Sequence, residues 1–345
     1  MFLVLGYFGY RTNKLDGQTV KTRDFYKLLE DCVGDEVCYY DTEELKFNKL
    51  SILRMLWMLM RCKTLCYLPA YGNLKILFPI VFCISFLFRV KIHYFVVGGW
   101  LEGFIKKLPL HRWMLSRIAG IHVETQKMRT GLIESYKFGN VDIFPNFRHF
   151  SYNINKFNAG AFMRNAEPGV LNLVFVSRVE RSKGLDTLVD VAESLALKGY
   201  ADKIRFDFYG QKRDGFFDAH LSGNAMFEYK GVLQPTEVLD TLKKYDALIF
   251  PTHYDGEGCP GILVEALSVG LPIIASDWKY NDEFVETGVN GFLCETFDAN
   301  AYVEAIISLA ENVNMRKTMA HSSYLKCSYF SIDKARELLL GFINS

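Results

Sequence analysis

The chain has 345 residues, half of them hydrophobic, and a formal net charge of +1. That length exceeds one ordinary core and the apolar fraction is ample for two, so two domains are expected. The eight cysteines form no C-x-x-C pair and have no His-rich partner, which excludes a disulfide frame and a zinc site and reads as buried thiols in a reducing compartment.

Charge is uneven along the chain. Residues 1–150 carry 21 Lys and Arg against 13 Asp and Glu, whereas the remainder carries 19 against 26. The basic half suits an anionic lipid leaflet or a diphosphate-bearing substrate, or is a scatter of solvated lysines. No dense basic run stands out, so nucleic acid is not an expected partner.

The opening MFLVLGYFGY lacks a basic n-region, a long apolar core and a small-residue cleavage site, so no signal peptide is read and the protein is expected in the cytoplasm. Phe2 to Leu5 is a first strand, followed by Gly6, Gly9 and Gly17 and a helix through Thr22 to Leu29. A strand, glycines and a helix open a nucleotide-binding fold, but the spacing is not G-x-G-x-x-G, which removes the main support for dehydrogenase chemistry. Val37–Tyr40, Thr64–Leu68 and Ile92–Val97 are further strands, separated by helical stretches at Lys46–Met60 and Leu74–Phe88. This alternation predicts a parallel sheet.

The apolar run Ile76–Phe88 contains Pro79 and falls short of the roughly 20 residues of a spanning helix. It reads as a buried helix or a surface that dips into lipid. Gly98, Gly99 and Trp100 follow a strand end, where ligands collect in open α/β sheets. The two glycines permit close backbone approach and Trp100 offers a ring for a sugar, so these three are acceptor-side candidates; the alternative is a turn that seals the core. His111, His122 and His149 lack metal-ligand spacing and are read as structural.

Residues 148–170 lose clear periodicity, which places a linker at 151–170 between a first domain at 1–150 and a second at 171–330. The second restarts with strand Leu171–Ser177 and a helix with Leu185, Leu188, Val189, Ala192 and Leu195 on one face. Ile204–Tyr209 and Phe227–Val232 are strands, and Pro235–Lys244 is a helix. Gly210 and the Gly231–Leu233 turn fall on the ligand edge. Helices at Asn300–Leu309, Arg316–Lys326 and Ile332–Phe342 close the chain.

The strongest signal is Asp246–Ser276, which reads as strand, loop, helix and strand. Gly270, Leu271 and Pro272 stop a helix that runs from about Gly261 to Val269. Apolar residues surround nearly the whole of that helix, so Glu265 is expected to be a buried carboxylate that needs partners. A structural ion pair is one outcome. Glu257 precedes the helix N-terminus, whose free N–H groups favour a phosphate, so two carboxylates and an anion site are expected in one crevice. A ligand with hydroxyls at both ends and phosphates between them is a nucleotide sugar.

Glu257-Gly258-x-Pro260-Gly261, with Glu265-Ala266-Leu267 and Gly270-x-Pro272, resembles the E-x7-E signature of family 4 of the retaining GT-B glycosyltransferases. Ser177-Arg178-Val179 and Lys183-Gly184-Leu185 look like that family's diphosphate-gripping segment, and Phe144-Pro145-Asn146-Phe147 resembles the P-N segment before its linker. The resemblance covers about half the chain, from Asn172 to Leu293. It implies two Rossmann-like domains facing across a cleft, with a last helix at 331–345 crossing back to the first. It also implies that Glu257 contacts the transferred sugar, that Glu265 holds the ribose hydroxyls, and that Arg178 and Lys183 bear the leaving diphosphate. The donor contacts implied are Gly258, Pro260, Gly261, Ile262 and Leu263, the base loops at Gly210, Val232 and Leu233, and Gly17 and Gln18 in a flexible loop facing the phosphates.

The expected co-substrate is a UDP- or GDP-linked sugar, with no other cofactor. The expected acceptor is a saccharide, carried on a lipid, in capsule, O-antigen or exopolysaccharide assembly, with the protein peripheral at the inner membrane face. No D-x-D triplet occurs, so the divalent clamp of GT-A enzymes has no obvious ligands and no metal is expected. Two alternatives stand beside this reading: a nucleotide-sugar isomerase on the same fold, and a non-catalytic nucleotide-sugar-binding regulator.

Overall fold

The computed structural model describes residues 1–14, 16–150, 152–153 and 169–343; the linker expected at 151–170 lies almost wholly outside them. The chain divides into two compact units. Unit 1 comprises residues 1–149, 256–260 and 332–345, and unit 2 comprises residues 150–255 and 261–331.

Unit 1 runs β1 (Phe2–Gly6), α1 (Gly17–Val33), β2 (Val37–Asp41), α2 (Glu44–Phe47), α3 (Ser51–Arg61), β3 (Thr64–Leu68) and α4 (Tyr71–Phe88). It continues with β4 (Lys91–Phe95), α5 (Leu101–Lys107), α6 (Pro109–Leu115), β5 (Gly120–Val123), α7 (Gln126–Tyr136) and β6 (Val141–Ile143). The six strands are parallel in the order β2-β1-β3-β4-β5-β6. Helices cover a parallel sheet on both faces, so its strands are short apolar runs; Leu65, Cys66, Tyr67 and Leu68 of β3 are all buried. A core of Val4, Phe8, Phe25, Phe95, Phe144 and Phe147 also takes Ala335 and Leu339 from the last helix of the chain (Ile332–Ile343).

Unit 2 holds β7 (Leu171–Val176), α8 (Leu185–Leu197), β8 (Ile204–Tyr209), α9 (Phe216–His220), β9 (Phe227–Gly231), α10 (Val238–Leu242) and β10 (Ala247–Phe250). After these come α11 (Gly261–Ser268), β11 (Ile273–Ser276), β12 (Gly291–Cys294), α12 (Ala299–Glu311) and α13 (Val313–Lys326). Its strands are parallel in the order β12-β11-β10-β7-β8-β9. Both units are therefore Rossmann-like α/β domains, as the alternation of strands and helices predicts. In each, the strand order reverses beside the first strand, between β1 and β3 in unit 1 and between β7 and β10 in unit 2. Ligands of open α/β sheets bind outside the carboxyl ends of the strands at that reversal.

Several expectations are corrected. Gly17 and Gln18 are not in a flexible loop but form the first turn of α1, because the Asp16 carboxylate caps the helix by accepting from Thr19 N at 3.0 Å. The helical stretch at Lys46–Met60 is two helices: Asn48 Oδ1 accepts from Leu50 N at 3.0 Å, a local turn that competes with continued helix. The cysteines are not uniformly buried, since Cys83 is exposed and Cys32 and Cys38 are half-buried. The apolar run with Pro79 extends to an 18-residue helix, α4, long and apolar enough to cross a membrane. Leu74, Leu77, Phe78 and Val81 of α4 are nevertheless buried, which makes it a helix packed on unit 1 with a bare outer side.

Candidate active site

Unit 2 gathers candidate residues at its strand reversal. Arg178 follows β7, and the neighbouring strand β10 runs into Pro251, Thr252, His253 and Tyr254. Arg178 Cζ lies 4.7 Å and Lys183 Nζ 4.5 Å from the centre of the Tyr254 ring, so one aromatic ring contacts both cations. Lys183 is only 6% exposed. Arg178 also pairs with Glu180, Nη1 to Oε1 at 3.2 Å, and the same carboxylate oxygen accepts from Ser182 Oγ at 2.8 Å.

The backbone holds this arrangement. Arg181–Lys183 is a single 3-10 turn closed by Gly184, whose φ of 86° is left-handed, and a Cβ there would collide with the Pro251 carbonyl. Trp278 Nε1 donates to Tyr254 O at 2.9 Å, and Tyr254 N donates to Thr252 Oγ1 at 3.2 Å. Thr252 O in turn accepts from the buried Ser276 Oγ at 2.6 Å. The Tyr254 backbone is thus held from the ends of β10 and β11 and the loops that follow them. Both cations follow the carboxyl end of β7, beside the strand reversal of unit 2, and Arg178 has the Glu180 carboxylate as a partner.

Glu265 differs from its expected setting. In α11 the side chains of Leu263, Val264, Ala266 and Leu267 are buried, while Gly261, Ile262, Glu265 and Ser268 are half-buried. These four recur at helical spacing and form one open stripe, so Glu265 is not sunk in the core. Ile262 shares that stripe, whereas the Leu263 side chain turns inward and only its backbone remains for a ligand. Gly210 follows β8, donating its N–H to Gly231 O at 2.8 Å and accepting from Tyr229 Oη at 3.0 Å. Val232 is exposed and Leu233 half-buried just beyond β9.

Glu257 belongs to unit 1, in the segment 256–260. It is buried, at 7% exposure. The segment lies against the turn after β4: a Cβ on Gly258 would stand 2.6 Å from Gly98 Cα and 2.9 Å from Glu124 Oε2. Glu124 Oε2 accepts from Gly98 N at 3.1 Å and from Cys259 N at 3.3 Å, and Asn146 Nδ2 donates to Cys259 O at 2.8 Å. Glu124 Oε1 is paired with Lys21 Nζ at 2.5 Å, and Lys21 also donates to Val96 O at 2.9 Å. Burial pushes the Cys259 thiol well up, so it stays protonated at neutral pH. Neither Lys21 nor Glu124 stands in a sequence motif; the one local signal is the position of Glu124 directly after β5, a four-residue strand.

Trp100 is half-buried and engaged by aromatic neighbours, edge-on to Tyr71 at 5.2 Å and to Phe104 at 5.8 Å. Gln18 sits at the strand reversal of unit 1 and donates through Nε2 to Leu68 O at 3.2 Å; Gly17 beside it has open space around its Cα. Among the described residues no group of three or more His, Cys, Asp and Glu side chains is arranged to hold a metal ion.

Comparison with known proteins agrees with this architecture. A family model described as "Glycosyl transferases group 1" matches residues 164–326. The poly(ribitol-phosphate) alpha-N-acetylglucosaminyltransferase of Staphylococcus aureus is 24% identical over 202 residues, 57% of this chain and 38% of the relative. The amylovoran biosynthesis glycosyltransferase AmsK of Erwinia amylovora is 28% identical over 155 residues, 43% of this chain and 38% of the relative. The chain thus spans about two fifths of the length of these relatives. Among solved structures, Anabaena Alr3699/HepE in complex with UDP and glucose matches 100% of this chain and 99% of its own at a TM-score of 0.74 and 16% identity. Sucrose-phosphate synthase from Thermosynechococcus elongatus matches 99% of this chain and 98% of its own at a TM-score of 0.75 and 14% identity. The chain has the two-domain GT-B fold, and its residues 164–326 match the group 1 glycosyltransferases.

Proposed function

We propose that this protein is a retaining, metal-independent glycosyltransferase that moves a sugar from a UDP- or GDP-linked donor to an acceptor hydroxyl. One observation carries the reading: the two cations over Tyr254 at the strand reversal of unit 2, where a diphosphate would sit. In this reading Arg178 and Lys183 stabilise the negative charge that grows on the departing diphosphate, aided by the N–H groups at the start of α11. Glu265 accepts from the ribose hydroxyls and Glu257 orients the transferred sugar. Two fixed cations take the part that a divalent ion plays in other transferases, so transfer is expected to persist in EDTA.

The acceptor is proposed to be a saccharide carried on a membrane lipid. Support comes from α4 and its neighbours α3 and α6, which pack on it in unit 1. Phe86 and Leu87 are 81% and 74% exposed, and Leu50, Leu53, Trp57, Ile76, Leu110 and Trp113 are exposed as well. Arg61 lies 4.3 Å over the Trp57 ring and Arg117 4.3 Å over that of Trp113, so cations stand beside the exposed aromatics. Apolar side chains flanked by basic ones suit an anionic lipid surface. Relatives named for polysaccharide synthesis agree with an acceptor of this kind, and the unpaired cysteines agree with a cytoplasmic site of action.

Calorimetric titration with UDP-, GDP- and dTDP-sugars tests the donor assignment. One of them is expected to bind the wild type and to lose about tenfold or more in affinity in Arg178→Ala and Lys183→Ala, since a charge-assisted hydrogen bond contributes about 1.5–3 kcal/mol. Binding that both variants retain would remove the assignment.

A further inference from the structure

The Lys21–Glu124 pair joins two elements that are far apart in sequence, and both side chains are sealed in unit 1, Lys21 at 2% and Glu124 at 3% exposure. A buried ion pair is a poor device for stability alone, because the desolvation of both charges offsets their attraction and an apolar pair of similar volume often does as well. What an apolar pair cannot do is accept hydrogen bonds. Glu124 spends one oxygen on Lys21 and the other on two backbone donors, Gly98 N and Cys259 N. Those donors belong to the turn after β4 and to the segment that carries Glu257. Gly258 fits between them only because it lacks a Cβ.

We infer that Lys21 and Glu124 form a positioning device for Glu257: the Glu124 side chain clamps segment 256–260 onto the Gly98 turn through two backbone N–H groups, and Lys21 holds that side chain in orientation inside the fold. Two hydrogen bonds to one side-chain oxygen thus fix a short segment in which Glu257, Gly258, Cys259 and Pro260 are all buried. Neither residue touches the reacting atoms. The inference rests on the glycosyl-transfer reading for its kinetic consequence and on hydrogen bonding alone for its structural one.

The test compares two double variants. Lys21→Met/Glu124→Leu removes both charges and the acceptor, while Lys21→Met/Glu124→Gln removes both charges but keeps an amide oxygen for Gly98 N and Cys259 N. Native-state hydrogen exchange is expected to accelerate about tenfold or more at the Gly98 and Cys259 amides of the Leu variant, with the Leu65 and Cys66 amides of β3 unchanged. In the same variant kcat is expected to fall about tenfold or more with donor KM within about twofold of wild type. The Gln variant is expected to recover most of both. Unchanged exchange, unchanged kcat, or equal losses in both variants would overturn the inference. Should the Leu variant not fold, Gly258→Ala replaces it: both charges remain, while the added Cβ, 2.6 Å from Gly98 Cα and 2.9 Å from Glu124 Oε2, forces the segment off the clamp. If the wild type turns over no nucleotide sugar, the glycosyl-transfer reading falls, and the exchange result alone then decides for or against the clamp.

Discussion

Lys183 Nζ lies 4.5 Å from the centre of the Tyr254 ring, which also carries the Arg178 guanidinium at 4.7 Å. The ring thus contacts two cations beside the strand reversal of unit 2. Each cation–π contact contributes about 0.5–2 kcal/mol depending on its desolvation. Tyr254→Leu is therefore expected to raise donor KM about five- to tenfold, and Tyr254→Phe, which keeps the ring, to stay near wild type. Steady-state kinetics on both variants check this. A Leu variant with unchanged KM would show that the ring has no part in holding the cations.

Gly184 supports the same arrangement from below. Its left-handed backbone and its approach to the Pro251 carbonyl leave no place for a side chain. Gly184→Ala combines an unfavourable φ with a collision against main chain, and is expected to cost about 3 kcal/mol or more of stability. Denaturant titration gives the number; a loss below about 1 kcal/mol would mean that the turn shifts freely.

A buried histidine pair makes stability depend on pH. His93 Nδ1 and His122 Nε2 are 2.9 Å apart on adjacent strands of unit 1. Burial lowers His93 to about 4, with Lys91 pushing the same way and Asp142 opposing, and burial with His93 beside it lowers His122 to about 3. Both are neutral when folded, whereas the unfolded chain takes up protons below about 6.5. Their contribution is thus complete above pH 6.5 and is lost as pH falls from 6.5 towards 4 and 3, with a slope approaching about 1.4 kcal/mol per pH unit for each histidine. Melting temperature is expected to fall between pH 7 and pH 5, and a His93→Leu/His122→Leu variant to show a flatter profile. Parallel profiles would contradict the assignment.

What could be read from the sequence followed how local each feature is. Strands such as Thr64–Leu68 and Ile204–Tyr209 are apolar runs bounded by turn residues, and the alternation of such runs with helices is enough for two Rossmann-like domains. β5 and β6 escaped because Gly120–Val123 and Val141–Ile143 are very short and carry His122 and Asp142 in place of continuous apolar residues. The half-open setting of Glu265 was misread because composition around a helix does not reveal which turn of it faces solvent. Tyr254 and the Lys21–Glu124 pair were beyond reach for a different reason: each acts through partners brought together only by the tertiary fold, 103 residues apart for the ion pair.

The most direct test of the account follows the donor through one reaction by NMR, in EDTA, with a saccharide acceptor and whichever nucleotide sugar binds. Glu265→Gln is expected mainly to raise donor KM, because a ribose contact is present before and during transfer. Glu257→Gln is expected to lower kcat by about 10²-fold, because in the proposed reaction its carboxylate would face a sugar ring that gains positive character as the diphosphate leaves. The account predicts that the wild type releases nucleoside diphosphate and forms a product with the anomeric configuration of the donor, and that Glu257→Gln scarcely does so. An inverted product, or a Glu257→Gln enzyme with wild-type turnover, would contradict it.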